Sequence, residues 1–351
     1  MKLAIIGFGG MGEYHARNLQ KYMESAPAFP LEAAGVYDIS AERSRAAEKM
    51  GLKAYSSAEE IWKDPAAEAV LIATPNDMHA PYVRAAAAAG RHIICEKPIA
   101  LDSREAGEMM DAAERAGVLF EVHQNRRWDD DFLTVKGIIE SGCIGEVYKI
   151  ESRVTGCNGI PGDWRKLRRQ GGGMMLDWGV HLIDQMLLAV PSYTDSLYCE
   201  YSYIYGEEVE DGCDLSVHFE NGMRYRVVVA TDCFRNLPRW QVYGTEGTAT
   251  IEDWDLSGGV TRALTKEGAK VGIRAGNGFT KTMAPRAGDT VRQFPLPIVH
   301  AEPFAFYKNF AAACAGKEKP LIRREEVLRV FRLMEAAERS ARENTVIKEK
   351  I

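Results

Sequence analysis

Over the first 120 positions, apolar residues fall in short runs separated by longer stretches of helical spacing. The runs are KLAIIGF (2–8), LEAAGVYD (31–38), EAVLIAT (68–74), HIICEKP (92–98) and VLFEVH (118–123). Between them lie MGEYHARNLQKYM (11–23), SAERSRAAEKMG (40–51), HAPYVRAAAAAG (79–90) and SREAGEMMDAAERAG (103–117). Short buried strands alternating with helices predict a parallel sheet covered on both faces. The alanine run at 85–89 suits a helix packed closely on that sheet.

After residue 122 the rhythm changes. FLTVKGIIESGCIG (132–145) predicts a helix and EVYKIESRVT (146–155) a long strand; a glycine-rich loop, GCNGIPGDWRKLRRQGGG, and a further helix follow. In CDLSVHF, Cys213, Leu215, Val217 and Phe219 alternate with Asp214, Ser216 and His218, and Asn221-Gly222 then signals a two-residue hairpin into RYRVVVAT. RWQVYGTEGTATIED (239–253) reads as another hairpin. Such strands, apolar on one side, predict an open, mainly antiparallel sheet with helices on one face. The stretch 255–300 has no clear period, and the chain ends in helical patterns at 301–316 and 324–343. The expected organisation is an α/β domain over 1–122 and an α+β domain over 123–351, whose last helices could pack back on the first domain.

Composition narrows the function classes. The 351 residues are 46% hydrophobic and 27% charged, with a net charge of −6. This is an ordinary globular mix without the basic stripe that nucleic-acid binding needs. The most basic stretch, WRKLRRQ (164–170), suits a local polar ligand. Seven scattered cysteines without a C-x-x-C pair argue against a disulfide framework or a structural zinc site. With no apolar run of ~18–20 residues, the reading is a cytoplasmic protein that neither crosses nor binds a membrane.

Candidate chemistry starts at the loop Gly7, Phe8, Gly9, Gly10, Met11, Gly12. Its G-x-G-x-x-G spacing follows a strand and opens a helix. The first glycine makes the turn, the second admits a pyrophosphate, and the third lets helix pack on strand. Asp38 ends the next strand, placed either to accept ribose hydroxyls or to cap the helix near Ser40. The first role favours NAD over NADP, with Arg43 close enough to leave NADP open. Thr74, Pro75 and Asn76, and the charged pair Glu96 and Lys97, stop at the carboxyl edge where such sheets bind ligands. The pair is either a surface salt bridge or a buried functional site. In LDWGVHLIDQ (176–185), helical spacing puts Asp177 and His181 on one face, with Asp184 either supporting His181 or purely structural. His15, His92, His218 and His300 have no evident partners, and no metal-binding pattern appears.

GFGGMG, ATPNDMHAPYVRAAAAAGRHIICEKP, QNRRWD and DWGVHLID together resemble the Gfo/Idh/MocA family, named after glucose–fructose oxidoreductase and inositol dehydrogenase. The resemblance implies an N-terminal Rossmann domain and a C-terminal α/β domain on a mixed or antiparallel sheet. It also implies hydride transfer between a nicotinamide and a carbon bearing a hydroxyl on a sugar or polyol. The family's lysine falls on Lys97, its Asp and His on Asp177 and His181, and an often cis proline on Pro98. HQNRRW looks like the segment passing the nicotinamide, which puts Gln124 at the cofactor and Asn125 at the substrate. His79 would position the cofactor loop, and Trp164 and Arg165 of GDWR would meet substrate. His181 would act as base, oriented by Asp177 unless that carboxylate binds a sugar hydroxyl, while Lys97 would hold the reacting oxygen. The loop 155–173 would shape the pocket.

The expected function is therefore NAD-dependent oxidation of a secondary hydroxyl on a cyclic polyol or sugar, of inositol type or an intact glucoside. Two alternatives stay open: a glycoside oxidoreductase that keeps and recycles its NAD(H), and a non-catalytic NAD sensor. The open sheet predicts a homo-oligomer, dimer or tetramer. Tyr198, Tyr201, Tyr203 and Tyr205 are candidates for its interface.

Overall fold

The computed structural model describes residues 1–25, 31–265, 272–280, 286 and 288–351, so part of the stretch 255–300 lies outside the described residues. The N-terminal half runs β1 (Lys2–Ile6), α1 (Gly10–Ser25), β2 (Glu32–Tyr37), α2 (Ala41–Lys49), α3 (Ala58–Lys63), β3 (Ala69–Ile72), α4 (His79–Ala88), β4 (His92–Cys95), α5 (Ser103–Arg115) and β5 (Phe120–Val122). Its five strands are all parallel, in the order β2-β1-β3-β4-β5. Every residue of β3 is buried, because helices cover both faces of the sheet. The order reverses between β1 and β3, the switch point at which such sheets offer a ligand crevice outside the carboxyl ends of their strands.

The chain continues through a 3₁₀ turn at Asn125–Trp128 into α6 (Asp130–Ser141), β6 (Val147–Thr155), α7 (Val180–Ala189), β7 (Thr194–Ser202), β8 (Gly212–Phe219), β9 (Arg224–Ala230), β10 (Trp240–Gly244), β11 (Gly247–Ile251) and β12 (Gly258–Ala263). A small hairpin of β13 (Ile273–Ala275) and β14 (Gly278–Thr280) precedes β15 (Val291–Phe294), α8 (Ala305–Cys314) and α9 (Arg324–Glu343). The second sheet is ordered β15-β12-β11-β10-β6-β9-β8-β7. Its pairs are antiparallel except β6 with β9. A parallel pair needs a long connection, and the 68 or so residues between those strands supply it. Gly222, at φ +84°, makes the β8–β9 turn that Asn-Gly predicts.

The alternation in β8 and β9 aims Leu215, Val217, Tyr225, Val227 and Val229 at α7 and α9, and these form the second core. The opposite face carries Tyr198, Glu200, Asp214, Arg224 and Arg226. Tyr201, one of the interface candidates, packs instead against the second core, while Tyr203 and Tyr205 are exposed beyond β7. The C-terminal helices join the two units. Phe306, Tyr307 and Phe310 of α8, with Val327 and Phe331 of α9, belong to the first core, whereas Val330, Leu333 and Met334 of α9 belong to the second. Among the described residues no helix is long and apolar enough to cross a membrane.

Candidate active site

The glycine loop joins β1 to α1 at the crevice. Gly7 has φ +91°, and a Cβ there would lie 2.6 Å from the Ala73 carbonyl oxygen. At Gly12 a Cβ would come 2.0 Å from the Gly7 oxygen, so only hydrogen lets the helix sit against the strand. At Gly9 and Gly10 nothing lies within 4 Å. That open backbone at a helix N-terminus fits the pyrophosphate of a dinucleotide. Asp38 accepts the Phe8 N–H at 2.6 Å and the Ser40 N–H at 2.8 Å. It thus braces the loop, and a carboxylate keeps further lone pairs for ribose hydroxyls. Met11 and Arg43 are exposed beside it.

Thr74, Pro75 and Asn76 follow β3. The Thr74 hydroxyl is buried without a hydrogen-bond partner, an unmet polar group at the end of β3. Asn76, expected at the cofactor, turns its amide to the Gly171 carbonyl oxygen at 3.0 Å and so ties the first domain to the loop 155–173. Buried His79 places its ring nitrogens 3.0 Å from the carbonyl oxygens of Thr74 and Pro98. It thereby links the Ala-Thr-Pro-Asn loop to the Glu-Lys-Pro corner, where the Lys97–Pro98 bond is cis.

At that corner the two charged residues part. Glu96 is buried behind the sheet edge, hydrogen-bonded to His15 and His123 rather than facing the open crevice. Lys97 extends toward the second domain, where its Nζ donates to the Asp177 carbonyl oxygen at 3.0 Å and to Asp177 Oδ1 at 3.3 Å. The other Asp177 oxygen lies 3.4 Å from Arg165 Nε. Trp164 stacks under the Arg165 guanidinium, 4.6 Å from it.

Asp177 stands on a π-helical turn, Met175–Gly179, that leads into α7. A Cβ at Gly179 would meet the Met175 sulfur at 2.6 Å, so the glycine leaves room for that methionine side chain. No hydrogen bond joins Asp177 to His181, since the carboxylate is taken by the two cations. The orienting role expected of Asp177 is therefore not what the structure displays. His181 is buried and its Nδ1 has no partner. Burial, then the charges of Lys97 and Arg126, pushes its pKa well below the usual histidine value, so the ring stays neutral.

Asp184 turns away from the candidate chemistry toward Arg127. It pairs with Arg127 through two hydrogen bonds of 2.8 and 2.6 Å, and Arg127 also reaches Glu326 of α9. Other expectations about histidines change too. His92 accepts the Leu119 N–H, and His300 pairs with Asp130. Gln124 is buried with its Oε1 unpartnered, and Asn125 starts the adjoining 3₁₀ turn.

Beside Asp177 opens a cavity of about 530 Å³, lined by Arg126, Met174, Trp178, Thr231 and Trp254 among others. The Arg126 guanidinium lies 4.3 Å from the Trp178 ring and 5.2 Å from that of Trp254. Trp254 comes from the β11–β12 turn, so no local pattern links it to Trp178. A larger cavity, about 620 Å³, lies behind the same π turn, lined by Met175, Tyr201, Glu210, Glu335 and Glu338, with none of the predicted catalytic, cofactor-binding or substrate-binding residues.

Comparison with known proteins agrees with this arrangement. Residues 1–124 match the model for the oxidoreductase family with an NAD-binding Rossmann fold, and residues 132–250 match the GFO/IDH/MocA C-terminal domain. A crystal structure of an NAD-binding protein from Listeria innocua is 44% identical, covers 99% of both chains and superposes with a TM-score of 0.94. The scyllo-inositol 2-dehydrogenase (NADP(+)) IolW of Bacillus subtilis is 28% identical over 82% of this chain and 81% of its own. The match to the uncharacterised oxidoreductase C115.03 of Schizosaccharomyces pombe, 41% identical, spans 37% of this chain and 36% of that one. The chain belongs to the GFO/IDH/MocA family of NAD-binding oxidoreductases.

Proposed function

We propose that the protein moves a hydride between a nicotinamide and a secondary hydroxyl of a cyclic polyol or sugar, inositols and intact glucosides being the classes to try first. The observation that carries this reading is His181. A buried, neutral imidazole with an unpartnered nitrogen stands beside the place where Lys97 of the first domain reaches the second. A buried polar atom left unpaired costs stability, so a site that keeps one has use for a ligand there.

The cofactor, when bound, supplies or accepts the hydride at the crevice. The glycine loop and Asp38 would hold its adenosine half, with Thr74 and Gln124 toward the other end. Lys97 has three donors, two of them spent on Asp177. The third would hold the substrate oxygen and stabilise alkoxide charge as it develops. His181 takes the hydroxyl proton, because its neutral ring can accept one. Asp177 and Arg165 then fix the lysine and bind neighbouring hydroxyls, with the Trp178–Trp254 wall covering the ring face.

The proposed cofactor is NAD, since Asp38 would repel a 2′-phosphate; the exposed Arg43 and the NADP named for IolW make the NADP comparison worth running. The polar outer face of the second sheet is the proposed surface for a homo-oligomer, dimer or tetramer. A particle of monomer mass in light scattering would refute that. The function itself is tested by a screen of inositols, free sugars and glucosides, read at the NADH absorbance band with NAD and with NADP. Turnover of none of them would overturn it.

A further inference from the structure

Behind the Glu-Lys-Pro corner lies a buried group that the proposed chemistry does not use. Glu96 Oε1 accepts from His15 Nε2 at 2.7 Å and from His123 Nδ1 at 2.8 Å, while Oε2 accepts the Lys97 N–H at 3.2 Å. The Tyr307 hydroxyl of α8 lies 2.7 Å from His15 Nδ1. All four side chains are buried. A carboxylate only accepts hydrogen bonds, so one proton arrangement satisfies the set. His15 carries its hydrogen on Nε2 and accepts from Tyr307, and His123 carries its hydrogen on Nδ1.

The charges agree with that arrangement. Burial, with His123 alongside, pushes His15 down to about 4, so the ring is neutral at neutral pH and carries a single N–H. Burial would raise Glu96, but His123 and His15 outweigh it and hold the carboxyl well below its usual range. The three candidate ligand atoms lie within 4.8 Å of one another. Their 2.7 and 2.8 Å contacts are nevertheless hydrogen bonds, because tetrahedral zinc ligands at roughly 2.0–2.1 Å would stand about 3.3 Å apart.

We propose that Glu96 is a positioning residue for Lys97: clamped from behind by His15 and His123, it fixes the backbone from which the lysine arm reaches Asp177. The inference rests on the reading of Lys97 as the group that holds the reacting oxygen. A lysine stem is flexible, so the place of its ammonium is set at both ends. Asp177 holds the tip, and Glu96 holds the root. The clamp draws on α1, the ends of β4 and β5, and α8, and so keys the lysine to the helix that starts at the glycine loop.

The test uses the full-length protein. Glu96→Gln keeps the shape but sets an amide NH₂ against the Lys97 N–H when its oxygen faces the histidines. Hydrogen exchange, measured by mass spectrometry without substrate, should then quicken in the peptide spanning Lys97. On the best substrate kcat should fall on the order of 10–100-fold, the cost of a misplaced group, with NAD affinity little changed. His15→Leu and His123→Leu should also lose kcat, and His15→Gln and His123→Asn should recover most of it, because they return a donor near the lost nitrogen. A merely structural role would lower melting temperature without separating Leu from the amide variants in kcat. Unchanged exchange at Lys97 in Glu96→Gln, or wild-type kcat in that variant while Lys97→Ala is inactive, overturns the proposal. If the wild type oxidises no polyol or sugar, the reading of Lys97 fails, and exchange at Lys97 alone decides whether Glu96 positions it.

Discussion

At the carboxyl edge of the first sheet, Gly9 and Gly10 present bare backbone to open space; across the cleft, Asp177, Arg165, His181 and Trp178 present side chains held by one another. The first surface can be laid down by local geometry alone, since a strand, a turn and a helix N-terminus build it. The second depends on contacts between residues far apart in the chain, such as Lys97 with Asp177, and Trp178 with Trp254. A dinucleotide is a constant ligand and suits a fixed backbone cradle. A substrate pocket made of side chains can be altered residue by residue without disturbing the fold.

The largest expected effect separates the two surfaces outright. His181→Ala should lower turnover by about 10²–10⁴-fold and leave NAD affinity, followed by fluorescence titration, within a few-fold. Retention of more than about a tenth of wild-type turnover from pH 6 to 9 would show that His181 is not the base. Because burial and the neighbouring cations depress the His181 pKa, the acid limb of kcat/KM in the wild type should lie below pH 6.5. A limb above that value would count against the neutral ring.

Next in size is a stability effect behind the junction. Burial raises the Glu121 carboxyl, on β5, to about 7. The folded state therefore binds its proton more tightly than the unfolded chain does. The protonated group causes no loss at low pH; the penalty grows as pH rises from the ordinary carboxyl value of 4.5 and is complete once pH has passed the folded value. Glu121→Gln should thus stabilise the protein at pH 8, by up to about 3 kcal/mol at ~1.4 kcal/mol per tenfold change. It should do little near pH 4. Denaturant melts at the two pH values check this, and a variant less stable at pH 8 would contradict it.

The glycines sharpen the contrast within the first surface. Gly12→Ala drives a Cβ into the Gly7 carbonyl and should destabilise the fold by about 1–3 kcal/mol, the usual cost of overpacking. Gly9→Ala meets nothing in the protein and should leave the melting curve unchanged while weakening NAD. Equal losses of stability in the two variants would show that Gly9 is structural. Of similar size, but read in cofactor choice rather than stability, is Asp38→Ala, which should erode NAD preference over NADP by about 1–3 kcal/mol, the cost of leaving hydrogen-bonding groups unsatisfied. Paired kcat/KM measurements with the two cofactors decide it.

Sequence periodicity alone located the five short strands of the first sheet, because a strand buried on both faces must be apolar throughout. The alternation in β8 and β9, with Asn-Gly between them, did the same for part of the second sheet. What it missed there was the place of β6 between β9 and β10. Strand order in a sheet is decided by long connections, and those carry no periodic signal. The same limit holds in the site. Gly7, Gly9, Gly12 and Lys97 sit in short motifs whose spacing has a local cause. Trp254 and the partners of His15 do not, as nothing near residue 15 in the chain points to residues 96, 123 and 307.

The opening of α7 shows the division most plainly. Spacing put Asp177 and His181 on one helical face, and that much is a property of the sequence. Which neighbour each takes was decided by tertiary structure. A lysine arriving from the first domain and an arginine from the loop claimed the carboxylate, since two cations bind it more strongly than a neutral imidazole. The histidine was left buried, neutral and unpaired at Nδ1. The residue types and their spacing fixed what chemistry was available, and the packing of two domains fixed which atoms were left free to perform it.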